Sequence, residues 1–158
     1  MQVDKVLVPL DGSPLAEAAL TWAASLTRKG GTVVLLRGAE APFTRTAATV
    51  EALFEELRTA EAYLARMATR VKELGVANVR TSVSYRPAAE SIADTARYQN
   101  VDLIVMSTHG RSGLDRLVMG SVAESVLRST TTPILLVRTP QAAVAALSYA
   151  ATDNETVR

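Results

Sequence analysis

The chain has 158 residues, enough for one domain with a buried core plus a short additional segment. Hydrophobic residues make up 48% and charged residues 21%, a balance typical of globular proteins and not of disordered or fibrous chains. The net charge of +1 gives no basic surplus for nucleic acid, and the absence of cysteine excludes thiol catalysis and disulfides. Since the sequence also shows no secretory signal pattern and no long apolar run, we expect a cytoplasmic protein that binds neither nucleic acid nor membrane.

The first part of the chain predicts a strand, a helix and a second strand. Residues 5–10 (KVLVPL) form a short apolar run, and the Asp-Gly-Ser-Pro that follows ends a strand and starts a helix, because Ser13 can cap and Pro14 can occupy the first helical position. Helical spacing of apolar residues then predicts one helix that continues to Gly30 and Gly31. Its buried face comprises Leu15, Ala18, Ala19, Trp22, Ala23 and Leu26. Residues 32–36 (TVVLL) are the second strand.

The remainder of the chain continues the alternation of helices and strands. A long helix begins near Thr46 and closes at Gly75, alternating residues 79–85 form a third strand, and Pro87 opens the next helix. Residues 101–106 and 134–137 are the last two strands, separated by a loop and a helix. The face of the long helix comprises Val50, Leu53, Phe54, Leu57, Leu64, Ala68, Val71 and Leu74.

This alternation predicts a doubly wound, Rossmann-like α/β fold. We expect a five-stranded parallel sheet of strand order 3-2-1-4-5 with helices on both faces. Residues 1–140 form the domain, and residues 141–158 form an Ala-rich C-terminal tail without a clear partner element.

Two loops after predicted strands mark a candidate ligand site. A doubly wound sheet binds ligands outside the carboxyl ends of its strands, where the strand order reverses. The loops are residues 9–13 (PLDGS) and 107–113 (STHGRSG), and they face one crevice if the first and fourth strands are neighbours. Gly110 and Gly113 allow close approach of a ligand to the backbone, and Arg111 can add a charge-assisted contact to phosphate.

The helix after the second loop favours an anion at the same crevice. Ser121 and Glu124 have the spacing of a capping box, which directs free N–H groups and the positive helix end toward the loop. The sequence contains neither a Walker A lysine motif nor a G-x-G-x-x-G fingerprint, which excludes P-loop and classical dinucleotide-binding proteins. The alternative is that the glycines only form turns and that Asp11 only caps the turn into the first helix.

The sequence resembles the universal stress protein family over nearly all of residues 3–138. The resemblance rests on KVLVPLDGSPLAEAAL, on RPAAESIADTARYQNVDLIVMSTHGRSGLDRLVMGSVAESVL and on PILLV. The ATP-binding branch of that family carries a glycine, two residues, a second glycine, nine residues, and a third glycine followed by Ser or Thr. In this chain Ser107 replaces the first glycine, whereas Gly110 and the Gly120-Ser121 pair keep the pattern.

The resemblance implies an ATP site on these loops. Magnesium would be held mainly by phosphates and water, without a metal site built from protein side chains. We treat His109 as a polar loop contact and not as a general base, because no carboxylate lies beside it in sequence. By position, Pro9, Leu10 and Asp11 border the adenosine, Gly38 contributes backbone atoms to the adenine, Met106, Ser107 and Gly110 line the ribose and first phosphates, and Gly120, Ser121 and Val122 hold the outer phosphates. His109 and Arg111 are also predicted nucleotide-site residues, and the alternative for Arg111 is a place on the solvated rim.

The last predicted strand is a candidate dimer interface. It would lie at the edge of the sheet, and a bare apolar edge invites pairing with another strand. The resemblance implies that two copies pair these strands antiparallel, so we expect a homodimer. The interface residues are Ile134, Leu135, Leu136 and Val137.

The leading functional hypothesis is a regulatory ATP-binding module in the stress response, with at most slow ATP hydrolysis. One alternative is a genuine ATPase or nucleotide hydrolase that uses Asp11 and His109. Another is an interaction protein that binds no nucleotide, which the serine at position 107 permits. A phospho-accepting receiver domain is disfavoured, because no acidic pair flanks Asp11 and the loop after the fourth predicted strand is rich in glycine.

Overall fold

The computed structural model describes residues 2–38, 47–108 and 120–138. The helices in these three ranges do not include one that is long and apolar enough to cross a membrane. The predicted tail and the loop residues His109, Gly110 and Arg111 lie outside the described residues. In chain order the elements are β1 (Val3–Leu10), α1 (Pro14–Glu17), α2 (Ala19–Leu26), β2 (Thr27–Gly38), α3 (Ala47–Glu73), β3 (Asn78–Ser84), α4 (Ala88–Tyr98), β4 (Leu103–Ser107), α5 (Ser121–Ser129) and β5 (Ile134–Val137).

The five strands form one parallel sheet of order β3-β2-β1-β4-β5. This confirms the predicted fold class and strand order. The chain moves outward from β1 to β3 and then returns to place β4 on the other side of β1, so the order reverses between β1 and β4. The carboxyl ends of these two strands therefore meet at one edge of the sheet, which is where a doubly wound fold binds ligands.

Alternate residues of the strands separate two hydrophobic layers. Val6 and Val8 of β1 pack with Leu20 and Tyr63 on the side covered by α1, α2 and α3, which we call the α3 face. Leu7 packs on the other side with the residues of α4 and α5, which we call the α4 face. Each fully buried aliphatic side chain stabilises the fold by about 1.5–3 kcal/mol, so both layers contribute to holding the sheet.

The turn between β1 and α1 is built by its own residues, as the sequence predicts. The Ser13 hydroxyl accepts a hydrogen bond from the Ala16 N–H at 3.1 Å, and Pro14 is the first helical residue. The Asp11 carboxylate accepts the Ser13 N–H at 2.8 Å. Gly12 between them has a φ of +86°, a conformation that glycine adopts without strain.

The prediction of one helix running to Gly30 and Gly31 is wrong, because the helical segment divides into α1 and α2 and ends before Thr27. Thr27 has an extended backbone, and its hydroxyl donates to the Ala23 carbonyl oxygen at 2.7 Å, which closes the helix. Gly31 lies inside β2, where a Cβ atom would come within 2.7 Å of the Asp4 carbonyl oxygen. Gly31 therefore allows a close approach of β1 and β2 instead of terminating a helix.

Part of the predicted helical core is exposed. Leu64 and Val71 of α3 are buried as expected, whereas Trp22 is 54%, Val50 50% and Phe54 58% exposed. The 27-residue helix α3 is about 40 Å long, but the seven-residue strand β3 beneath it spans only about 23 Å. The first turns of α3 therefore extend past the carboxyl end of β3.

Candidate functional site

A cavity of about 280 Å³ lies at the carboxyl edge of the sheet, between the ends of β1, β2 and β4 and the first turns of α4 and α5. The structure brings together at this cavity every predicted nucleotide-site residue that it describes. The three predicted loop residues, His109, Gly110 and Arg111, lie outside the described residues. The predicted residues that line the cavity are Pro9, Leu10, Asp11, Gly38, Met106, Ser107, Gly120, Ser121 and Val122.

The end of β2 shows how the sheet shapes the cavity. Successive side chains of a strand point to opposite faces, so Leu36 and Gly38 line the cavity while Arg37 between them lies over the Tyr63 ring on the α3 face. Among the described residues other than Gly38 and its chain neighbour, no atom lies within 4 Å of the position that a Cβ of Gly38 would occupy. The strand therefore ends with open space on one side and a large side chain on the other.

The first turn of α5 supplies free backbone donors to the cavity. The first bond within the helix runs from the Glu124 N–H to the Gly120 carbonyl oxygen at 3.0 Å, so the N–H groups of residues 121–123 have no partner within the helix. Gly120 has no side chain with which to cap them. Together with the helix dipole, these donors favour an anion at this end of the cavity.

The predicted capping box from Ser121 to Glu124 is wrong. Gly120 is the N-cap, which makes Ser121 the first helical residue instead of the capping residue. The Glu124 carboxylate pairs with Arg128 one turn later in the helix, an arrangement that stabilises helices at this spacing. The free N–H donors that the sequence predicts at this helix start are nevertheless present, because any helix start without a side-chain cap has them.

Asp11 serves the turn and lines the cavity at the same time. One of its carboxylate oxygens accepts the Ser13 N–H, as the capping alternative predicts. The residue is exposed and lies on the cavity wall. Since a carboxylate accepts several hydrogen bonds, the structural role and a ligand role are compatible.

Ser107, at the position of the family glycine, has its hydroxyl bonded to the protein. The hydroxyl donates to the Leu15 carbonyl oxygen at 2.6 Å and so ties the end of β4 to α1. The next residue continues the sheet, because the Thr108 N–H donates to the Val137 carbonyl oxygen at 3.1 Å. The serine therefore stabilises the cavity wall through a bond that glycine cannot make.

Residues 2–138 of the chain match the model of the Universal stress protein family. The chain belongs to this family. Universal stress protein MJ0531 of Methanocaldococcus jannaschii is 31% identical over 145 residues, which cover 87% of this chain and 83% of that protein. The family suggested by the sequence motifs is thus confirmed.

Solved structures agree with this assignment. The structure of MJ0577, a protein of Methanocaldococcus jannaschii, superposes with a TM-score of 0.71 at 26% identity and covers 89% of this chain and 99% of that one. A universal stress protein solved in complex with cAMP has a TM-score of 0.69 at 21% identity, covering 87% and 98% of the two chains. The second likeness shows a shared fold.

Several residues of this universal stress protein line the cavity but were missed by sequence reasoning. Half of them come from α4, whose start follows β3 directly, and the carboxyl end of β3 lies at the same edge as those of the other strands. In the sequence, Pro87 predicts where α4 begins, but it does not indicate which side chains of α4 face the cavity. The missed residues are Ala16, Leu36, Ala88, Ser91, Ile92 and Ala123.

The same edge of the sheet is closed on the α3 face by a charged cluster. The Tyr63 hydroxyl donates to Glu17 at 3.2 Å, and Arg70 binds the other carboxylate oxygen of Glu17 at 3.0 Å. Burial of Tyr63, followed by the charge of Glu17, raises the pKa of the phenol well above its usual value. Within the described ranges, no group of three or more His, Cys, Asp or Glu side chains is placed to hold a metal ion.

Proposed function

We propose that this universal stress protein is a regulatory module that binds ATP with magnesium in the cavity between β1, β2, β4 and α5. The observation that carries the proposal is the meeting of two unlike walls in one cavity. Leu36 of β2, Ile92 of α4 and Met106 of β4 supply an apolar wall, and the start of α5 supplies N–H groups that have no partner within the helix. A nucleotide has the matching division into an apolar base and an anionic phosphate chain.

The two walls assign an orientation to the nucleotide. Leu36, Ile92 and Met106 form apolar wall that suits the faces of a purine. The phosphates would lie at Gly120 and Ser121, because the helix N-terminus attracts anions. Magnesium would be held by the phosphates and water, in keeping with the preference of this ion to retain several waters. The cAMP complex of a protein with the same fold supports the proposal, since it shows that such a fold can hold an adenine nucleotide.

The proposed role is regulatory, in the cytoplasmic stress response, with at most slow hydrolysis. Activation of a nucleophile requires a base within hydrogen-bond reach. In the described part of the cavity, the Ser107 hydroxyl is bonded to the Leu15 carbonyl and the Asp11 carboxylate to the Ser13 N–H. These two groups therefore serve the fold, and binding is the chemistry that the cavity supports best.

Identification of a co-purifying nucleotide tests the proposal most directly. The purified protein is denatured, and any released nucleotide is identified by mass spectrometry. Calorimetric titration of nucleotide-free protein with Mg-ATP, ADP and AMP then measures affinity and preference. We expect released adenine nucleotide and saturable heat with Mg-ATP. A nucleotide-free protein that shows no heat with any of the three would contradict the proposal and favour the interaction protein.

We also propose that two copies pair through β5. This strand bonds to β4 on one side and lies at the edge of the sheet, with Ile134, Leu135 and Leu136 half-buried. Pairing with a second β5 would satisfy the edge N–H and C=O groups and cover these side chains. Light scattering at micromolar concentration should give the mass of a dimer.

Hydrogen exchange offers an internal control for the dimer. The strand β3 is the other edge of the same sheet. Dilution that dissociates the dimer should speed amide exchange in β5 and leave β3 unchanged. A monomeric mass at micromolar concentration, or an equal change in amide exchange of β3 and β5 on dilution, would count against pairing through β5.

A further inference from the structure

Ser91 is a polar side chain in the apolar part of the cavity wall. It is 3% exposed, and it lines the same cavity as Leu36 and Ile92. The described part of the chain has one other buried polar residue, Thr27, whose hydroxyl is bonded within its own helix end. A buried hydroxyl is costly unless it is paired, so the partners of Ser91 determine what it can offer to a ligand.

The hydrogen bonds of Ser91 define the position of its proton. Its Oγ lies 3.1 Å from the Arg86 carbonyl oxygen, which can only accept, so the Ser91 hydroxyl donates to it. Its Oγ also lies 2.7 Å from the Ser84 Oγ. Because Ser91 has no second proton, Ser84 is the donor of this bond. Ser84 Oγ in turn accepts the Arg86 N–H at 3.3 Å.

This arrangement makes Ser91 an acceptor toward the cavity. A hydroxyl oxygen accepts two hydrogen bonds, and Ser84 supplies one of them. The remaining lone pair suits a donor on the ligand, and an oxygen acceptor placed there would meet it unfavourably. Adenine carries an amino group at position 6, whereas hypoxanthine and guanine carry an oxo group at the same position.

We propose that Ser91 accepts a hydrogen bond from the 6-amino group of adenine and selects adenine over 6-oxo purines. The assignment rests on the proposed function, because it requires the base to occupy the apolar end of the cavity. It makes Ser91 a specificity residue that touches the ligand. Ser84 is a positioning residue, since it acts on the ligand only through Ser91.

The turn between β3 and α4 opposes rotation of the Ser91 hydroxyl. If Ser91 turned its proton toward an oxo group, the Arg86 carbonyl oxygen would lose this donor. The Arg86 side chain is held to the first turns of α4 by ion pairs with Glu90 and Asp94. The network therefore keeps one proton arrangement, and the acceptor character of Ser91 is built into the turn.

Affinities for three nucleotides test the assignment. ATP, ITP and purine riboside triphosphate carry an amino group, an oxo group and a hydrogen at position 6, respectively. The wild type should bind ATP roughly 2- to 10-fold more tightly than purine riboside triphosphate, the range expected for one hydrogen bond. ITP should bind more weakly still. In Ser91→Ala the affinity for ATP should fall to that for purine riboside triphosphate.

Ser125→Ala is the matched control, because Ser125 is exposed on α5 and does not line the cavity. It should keep the wild-type order of the three nucleotides. A wild type that binds ATP no better than purine riboside triphosphate, or a Ser91→Ala variant that keeps the wild-type ratio, would overturn the assignment while leaving nucleotide binding intact. A wild type that binds none of the three would instead overturn the proposed function, and with it this assignment.

Discussion

The two faces of the sheet end differently at the same edge. On the α3 face, Tyr63, Arg37 and Glu17 fill the space beyond the strands with stacked and hydrogen-bonded side chains. On the α4 face, Gly38 and Ala88 leave the space open, and a cavity forms there. Because Arg37 and Gly38 are neighbours in one strand, a single step along β2 separates the closed side from the open side. The cavity thus arises from the difference in size between successive residues of β2, and it requires no change in the sheet itself.

The difference predicts that substitutions on the two sides have different consequences. Changes on the closed side should lower stability, since they disturb packed side chains. Changes on the open side should alter binding with little effect on stability. Four experiments test this difference between the two sides, in order of decreasing expected effect.

The largest effect is expected for Gly120→Glu, on the open side. A carboxylate at the start of α5 repels phosphate where the structure offers free N–H groups, and like charges brought together cost several kcal/mol. We expect the affinity for Mg-ATP to fall at least ~100-fold in calorimetric titration. Ser125→Glu introduces the same charge at an exposed position farther along the helix and should bind nearly as the wild type. If both variants bound Mg-ATP with equal affinity, the start of α5 would not be part of the nucleotide site.

Gly12→Ala and Gly38→Ala compare the closed and open sides directly. Gly12 has a φ of +86°, and an added Cβ would lie 2.7 Å from Nη1 of Arg37. We expect Gly12→Ala to lower the free energy of unfolding by about 1–3 kcal/mol in urea denaturation, because of backbone strain and displacement of Arg37. Gly38→Ala adds its Cβ to open space and should change stability by less than about 0.5 kcal/mol. A larger loss of stability in Gly38→Ala than in Gly12→Ala would contradict the proposed difference between the closed and open sides.

Tyr63 should make the closed side sensitive to alkaline pH. Its pKa is raised in the folded protein, so above pH ~10 the unfolded chain loses the phenolic proton while the folded chain keeps it. The folded state then binds more protons, and the free energy of unfolding falls with rising pH by up to about 1.4 kcal/mol per unit. Unfolding of Tyr63→Phe should show a shallower slope, whereas Tyr98→Phe, at a 73% exposed position, should match the wild type. Identical slopes would exclude Tyr63 as the cause.

Ser107→Gly should give the smallest effect and separate stability from binding within one residue. Loss of the hydrogen bond to the Leu15 carbonyl should lower the free energy of unfolding by about 1 kcal/mol. The affinity for Mg-ATP should stay equal or increase, because the family pattern of glycines is restored. A clear loss of affinity in titration would show that the hydroxyl takes part in binding.

The features that local interactions control could be predicted from the sequence. The apolar strands, the turn from Asp11 to Pro14 and the end of the long helix at Gly75 all follow from neighbouring residues, and the structure has each of them. The motifs at two strand ends also identified residues that share one cavity. These predictions succeed because capping, φ angles and alternation act within a few residues.

The folded arrangement of the elements determines which apolar residues are covered and which polar groups find distant partners. Trp22 and Phe54 have the periodicity of core residues, yet they are exposed. The Ser107 hydroxyl bonds to Leu15, 92 residues away in sequence. Ser91 becomes an acceptor only because the β3 to α4 turn uses its proton. Periodicity records the apolar side of an element, but coverage and pairing depend on elements that meet only in the folded chain.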